Sequence, residues 1–277
     1  MFCWHGVDIQ AKLSPMSNLV QRAYETSRGW LALGHERIES PLAWIVRDRQ
    51  NPDVYDANFA AMVRAESEPE IDALLAQLDD AFHDCKHRFV FWDSDMPQPF
   101  AARLVLDGWQ RFNDLITLVL EGEPRAQGPR VQIRKVESEA DWQVIEDLHW
   151  LDHQEEVEMG FHAAWDRSIT QAIVRSKRRK TPAVQYFLAR VDGVDCAFFS
   201  SWPGENGVGQ IEDLFTRAEV RGRGIGTALL VACVEDARAR GAGPIIVCAR
   251  VEDTPKQMYK SMGFRPLCLQ HGYLKHI

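Results

Sequence analysis

The sequence predicts an α/β protein built from two halves of similar internal order, and three observations carry that prediction. Short apolar runs of strand type alternate along the chain with amphipathic stretches of helical period. "EGEPRAQGPR" at 121–130, with two glycines, two prolines and no large apolar side chain, breaks the chain near its middle. On either side of that break, "LVLDGWQRF" and "YKSMGFRPL" repeat one arrangement: a helix end, a glycine, an aromatic residue, then strand residues. These features divide the chain into a unit at 1–125 and a unit at 130–277, related as a tandem duplication.

In the first half, "DANFAAMV" (56–63) reads as a strand. "EPEIDALLAQLDDAF" places Ile71, Leu74, Leu75, Leu78 and Phe82 on one helical face. "RFVFWDSD" is of buried-strand type, "PFAARLVLDG" is a short helix stopped by Gly108, and "WQRFNDLITLVL" is a final strand or hairpin. The second half opens with the strand "VQIRKV" (131–136), an acidic helix from about Ser138 and another helix over Trp165 to Ser176. "AVQYFLARVDG" and "VDCAFFSSW" pair around an Asp192–Gly193 turn. "GQIEDLFT" is a further strand, and a glycine-rich stretch then enters a helix that ends at Gly241. "PIIVCAR" is a buried strand, "PKQMYKSM" a short helix ended by Gly263, and "FRPLCLQ" and "GYLKHI" close as strands.

The 277 residues suffice for two cores, and 45% hydrophobic with 26% charged residues is a globular composition. No run approaches the roughly 18 apolar residues of a membrane span, so no membrane partner is expected. "MFCWHGVDIQAKL" lacks the basic end, apolar stretch and cleavage site of a secretory signal. Six cysteines, at 3, 85, 196, 233, 248 and 268, show no CxxC spacing, which suits reduced thiols in a cytoplasmic protein, monomeric or homodimeric. A net charge of −8 argues against a dedicated nucleic-acid binder.

"RGRGIGTALL" (221–230) concentrates the chemistry. Glycine costs a helix about 1 kcal/mol relative to alanine, so glycines at 222, 224 and 226 before a helix call for a reason. A helix start presents unpaired N–H groups and partial positive charge, and bare glycines let a ligand approach them. With Arg221 and Arg223 alongside, the stretch specifies a phosphate or pyrophosphate cradle. It is not a P-loop, having no Gly-Lys pair, and a GxGxxG dinucleotide fingerprint would need glycine where Thr227 stands. Its spacing, Arg-x-x-Gly-x-Gly, is that of an acetyl-CoA loop. The matching place in the first half reads "RAESEPEIDALL", with carboxylates instead of glycines, and is expected to hold no cofactor.

At this point the chain resembles the GNAT superfamily of acyl-CoA-dependent N-acyltransferases. "IEDLFTRAEVRGRGIGTALL" (211–230) is similar to that family's fourth strand, pyrophosphate loop and third helix. "DTPKQMYKSMGFRPL" (253–267) is similar to its last short helix, with the tyrosine followed by Gly-Phe. The resemblance covers about 130–277 and implies tandem GNAT-like domains, each a mixed central sheet flanked by helices, the first a degenerate copy. It implies that acetyl-CoA binds at Arg221, Gly222, Arg223, Gly224, Ile225, Gly226 and Thr227, with Leu214, Phe215 and Thr216 pairing with the pantetheine arm. A backbone N–H near Leu214, where the family has a bulge, would polarise the thioester carbonyl. It further implies Glu212 as general base, directly or through water, and Tyr259 as general acid, for direct attack by a primary amine without a metal. Glu252 stands where many members carry an asparagine, so that asparagine's role has no counterpart here. A non-catalytic acyl-CoA-binding or sensing protein, or an acyltransferase using a longer acyl-CoA, are the alternatives.

Asp213 should point away from Glu212 if the strand is regular. From Glu137 through Asp166 there are ten acidic residues and no lysine or arginine: a solvated helical face, or a wall attracting a cationic amine. "SKRRK" (176–180) reads as an exposed helix end where cations suit the dipole, or a contact for an acidic partner or RNA. His149 and His153, like His83 and His87, lie four apart, yet no third ligand has metal-site spacing. The first half is expected to be structural, completing the substrate cleft and covering a sheet edge.

Overall fold

The computed structural model describes residues 15–160, 166–252 and 255–277; Cys3, the opening "MFCWHGVDIQAKL" through residue 14, Trp165 and Asp253 lie outside the described residues. The elements run α1 (Pro15–Ala32), β1 (Glu36–Ile38), β2 (Trp44–Arg47), β3 (Phe59–Ala61), α2 (Glu68–Ala81), β4 (His87–Trp92), α3 (Gln98–Leu106) and β5 (Gln110–Leu120) in the first half. They continue β6 (Gln132–Lys135), α4 (Glu139–Glu158), α5 (Arg167–Arg179), β7 (Gln185–Val191), β8 (Val194–Trp202), β9 (Gly209–Thr216), α6 (Ile225–Ala239), β10 (Ile245–Arg250), α7 (Pro255–Ser261) and β11 (Arg265–His276).

Local chemistry explains the boundaries. Ser138 caps α4 in a box with Asp141, and Ser67 caps α2 in a box with Glu70. Asp192 and Gly193 both take positive φ, 51° and 80°, as a two-residue hairpin turn requires. Alternate strand residues enter opposite cores. Tyr186, Leu188 and Phe198 meet Trp142, Ile145 and Leu148 of α4, whereas Phe187, Ala197 and Phe199 meet Leu229, Leu230 and Val234 of α6. Helices α1, α4 and α5 therefore cover one face of the sheet, and α2, α3, α6 and α7 the other.

Among the described residues, eleven strands form one mixed sheet in the order β1-β2-β3-β4-β11-β5-β10-β9-β8-β7-β6. The closing strands of the halves are exchanged. β5 lies against β10, from Ile245↔Leu120 to Arg250↔Leu115, and β11 lies against β4, from His271↔Trp92 to His276↔His87. The linker separates the repeats in sequence, while these strands join them. At the strand level one open alternative is settled and one expectation changes. β5 is a single strand, and the two closing segments are one strand, β11, with irregularities at Pro266/Cys268 and Gln270/Gly272 in place of a break. Gly272 belongs there because a Cβ would come within 2.2 Å of the Phe89 ring.

Helix α1 and strands β1 and β2 escaped the sequence reading, and the end of α5 has another role than expected. Helix α1 lies across the sheet's middle, sending Tyr24 into the first half's core and Trp30 into the second's. The basic run at the end of α5 is a joint between the halves, not a free end. Lys177 and Lys180 are buried, Arg178 pairs with Glu139 and Arg179 with Asp48, and Ser176 bonds His35 at 3.0 Å. Gly34, at φ 75°, lets the chain pass where a Cβ would lie 2.8 Å from Arg179 Cβ.

Candidate active site

The site grows from one irregularity in β9. Asp213 has φ 69°, and the register with β8 jumps from Phe198↔Phe215 to Ser200↔Glu212, so Asp213 and Leu214 together oppose Phe199. The bulge resets the alternation. Glu212 and Asp213 both face the α5 side, while Leu214 turns toward α6. A regular strand would have sent Asp213 the other way; its backbone is what corrects that expectation. Asp213 accepts from Lys177 Nζ and from Tyr186 Oη at 3.2 Å, and Glu212 accepts from Gln210 Nε2 at 2.8 Å.

At the same level β9 parts from β10. Their parallel pairing runs over Gly209↔Ile245, Gln210↔Ile246 and Ile211↔Val247 and goes no further, so from Glu212 to Thr216 β9 has no strand partner on that side. Beyond Thr216, Gly222 and Gly224 take φ 74° and 76°, and α6 starts at Ile225 with Gly224 as N-cap and no side chain capping it. The proline of the linker lies over this turn, since a Cβ on Gly224 would sit 2.8 Å from Pro129 Cδ. Gly226 is different: a Cβ there would meet Leu214 Cδ2 and Met258 Sδ at 3.6 Å, an ordinary contact. The start of α6, the bulge of β9 and the start of α7 thus converge.

The residues singled out in the sequence fall as follows. Ile225 is buried and anchors the helix start, and Gly226 and Thr227 lie half-buried in its first turn. Phe215 packs into the α4–α5 core, leaving only its backbone for a ligand. Arg221 donates to Thr216 O at 2.7 Å and pairs with Glu155 of α4, and Arg223 stands 3.8 Å from Asp192. Tyr259 is 3% exposed, in the core on the α6 side with Phe264 beside it. Glu212 and Tyr259 therefore flank the sheet from opposite faces.

Burial, with Asp213 adding repulsion, raises the half-buried Glu212 carboxyl to about 8 against the pull of Lys177 and Lys180. Burial and Lys177 lower Lys180 to about 7. Burial and the carboxylates of Glu156 and Glu155 raise Asp152 to about 7. The acidic run is largely consumed inside the molecule. Asp141 pairs with Arg134, Glu146 and Asp147 with Arg167, Glu155 with Arg221, Glu156 with Arg250, and Asp166 caps α5. His149 and His153 stand 5.2 Å apart with Phe198 against His149, and among the described residues no group of three or more His, Cys, Asp or Glu side chains is placed to hold a metal.

The first half repeats the strand without the chemistry. Ala60 pairs in parallel with Val90 as Ile211 does with Val247, and Met62 takes φ 52° where Asp213 takes 69°. Ala61 stands in the place of Glu212. Helix α2 already carries its anion, since Glu70 Oε2 accepts from the backbone N–H of Ser67 and Glu66 at 2.9 and 3.1 Å. A hollow of about 360 Å³ between β1, β2 and α2, lined by Glu36, Arg49 and His83 among others, shares no residue with the parting of β9 and β10.

Residues 142–264 match the Acetyltransferase (GNAT) family, a stretch that runs from α4 to the glycine–aromatic pair after α7. The likeness to that family is thus carried by residues 142–264, and the chain as a whole has a tandem GNAT fold. The chain is similar to a GCN5-related N-acetyltransferase from Kribbella flavida, with TM-score 0.68 and 17% identity over 93% of this chain and 95% of that one. It is also similar to a tandem GNAT protein from the clavulanic acid biosynthesis pathway, with TM-score 0.58 and 14% identity over 92% and 95%. A functionally unknown conserved protein from Staphylococcus epidermidis gives TM-score 0.64 and 14% identity over 87% and 94%. No curated protein matches.

Proposed function

We propose that the second half binds acetyl-CoA and that the protein transfers the acetyl group to a primary amine on a small molecule or peptide, in a ternary complex. The observation that carries this reading is the parting of β9 from β10 beside a glycine-built helix start, with Glu212 at the point of parting. Amides in the first turn of α6, with Arg221 and Arg223, suit a pyrophosphate. The bare edge of Leu214, Phe215 and Thr216 suits an extended amide-bearing arm, and the Leu214 N–H suits a thioester carbonyl.

An alkyl amine with a pKa near 10.4 arrives protonated and must lose a proton before it attacks. Glu212, raised to about 8, is a stronger base than an ordinary carboxylate and takes that proton directly or through a water. Tyr259 gives its phenolic proton to the departing sulfur, whose thiol pKa of about 8.5 makes it a weaker base than an alkoxide or amide. A base so tuned favours an enzyme over a sensing module. Thiol release from acetyl-CoA, followed over a panel of polyamines, amino acids, aminoglycosides and lysine peptides, tests the reading. Release with at least one amine, slowed in Tyr259→Phe, is the expected result. Tight acetyl-CoA binding with no release from any amine would leave a sensing module instead.

A further inference from the structure

Among the described residues, two buried cations near the site form no ion pair. Lys180 is 5% exposed and holds Nζ 3.4 Å from the centre of the Trp30 ring. Arg28 of α1 is 1% exposed, stacks 3.7 Å over Phe91 and makes one long hydrogen bond, to Trp92 O at 3.5 Å. Among the described residues neither has a carboxylate within ion-pair distance, whereas Lys177 pairs with Asp213, Arg179 with Asp48 and Arg250 with Glu156. The unbonded nitrogens of Lys180 and Arg28 are also not among the buried polar atoms cut off from solvent, as Trp30 Nε1 and both His149 nitrogens are. Both cations are thus held almost wholly inside the protein.

Contacts place them around Glu212: Lys180 and Lys177 share the Trp30 ring, Lys177 bonds Asp213, and Ser27, next to Arg28, touches Cys248, which lies level with Glu212 where β10 leaves β9. Asp56, solvent-accessible on the turn before β3, feels the charge of Lys180, Lys177, Arg28 and Arg250 without pairing to any of them. Lys180 in turn feels Asp213, Asp56 and Glu212, and Arg28 feels Cys248, Asp93, Tyr24 and Asp56, Cys248 itself feeling Glu212. The first half supplies Arg28 and Asp56, the second Lys180, Cys248 and Glu212. A buried charge with no partner is costly, and Asp213, which could neutralise Lys180, is already bound to Lys177.

We propose that Lys180 and Arg28 hold a carboxylate of the acceptor, so that the acceptor is an amine that also carries a carboxylate, of the amino-acid class. This rests on the acetyl transfer proposed above. The amine end lies toward Glu212 and the acid end toward the two cations, and the guanidinium fork of Arg28 suits a planar two-oxygen anion. The first half then gives the acceptor site a recognition residue.

The test is calorimetry on the full chain saturated with coenzyme A, using matched pairs: lysine and cadaverine, ornithine and putrescine, phenylalanine and phenethylamine. The acid-bearing member should bind at least roughly 10-fold more tightly. Lys180→Met and Arg28→Gln should each shrink that ratio, leaving the affinities of the decarboxylated amines and of acetyl-CoA unchanged. Lys180→Arg and Arg28→Lys should preserve it, and they serve if a neutral variant does not fold. A ratio near one, a ratio indifferent to both substitutions, or no binding by any pair overturns the proposal. Thiol release is scored separately. Release with decarboxylated amines by a protein indifferent to the carboxylate overturns the acid site and leaves acetyl transfer standing. Acid-selective binding without release supports the acid site and counts against transfer.

Discussion

In the proposed transfer Glu212 takes the amine's proton, and its raised pKa makes two separable predictions. If it accepts the amine's proton, kcat/KM should rise with pH through a midpoint near 8. Glu212→Gln should lower the rate by about 10² to 10⁴ and flatten that limb. The same shift bears on stability with a definite sign. A carboxyl raised in the folded state favours folding fully below its unfolded value near 4.5, and that advantage is lost as pH rises through about 8. The difference in Tm between Glu212→Gln and wild type should therefore be more positive at pH 9 than at pH 5, and an equal difference at both would refute the shift. The motif is what singles out Glu212 and Tyr259 in the sequence. Asp213 was not, because no side-chain pattern announces a bulge; a positive φ on an aspartate is a backbone fact. Nor were Lys180 and Arg28 legible, since one reads as the end of a basic run and the other as an ordinary helix arginine.

At the scale of elements, the glycine loop is where sequence and structure agree most closely. Spacing placed a helix start at the glycines of 222–226, and α6 begins at Ile225, taking Gly226 into its first turn. What spacing did not show is that Arg221 is already paired, with Glu155 of the acidic helix. Arg221→Glu should weaken acetyl-CoA binding by 10-fold or more, roughly the effect of losing a charged hydrogen bond. Glu155→Gln frees the guanidinium and should leave binding equal or a few-fold tighter; a clear loss would mean that Glu155 positions Arg221 instead of competing for it. Gly224 is a poor place for the same test. At φ 76° and close to Pro129, any side chain there strains the loop before it meets a ligand. The acidic helix teaches the converse lesson: ten carboxylates in a row look like a surface, and only the fold shows that arginines from β6, β10, α5 and the loop claim most of them.

Across the whole molecule the two repeats were legible, their exchange was not. The likeness of "LVLDGWQRF" to "YKSMGFRPL" marks equivalent strands, but nothing in either segment says that each lies beside the other half's strands, because strand pairing is a long-range choice. Cutting the chain in the linker would leave 1–125 without β11 and 130–277 without β5, each with an apolar gap in its sheet. We expect either piece alone to be unfolded or aggregated by circular dichroism and the co-expressed pair to recover a folded complex. A well-folded 1–125 alone would contradict this. Helix α1, which also bridges the halves, was missed because its apolar positions serve two cores instead of one stripe.

The most direct measurement is a crystal structure with acetyl-CoA bound. The pyrophosphate should rest on the first-turn amides of α6 next to Arg221 and Arg223, with the pantetheine arm along Leu214 to Thr216 and the thioester at the point where β9 leaves β10. Acetyl-CoA bound elsewhere, or a first half that binds it at the start of α2, would contradict the assignment.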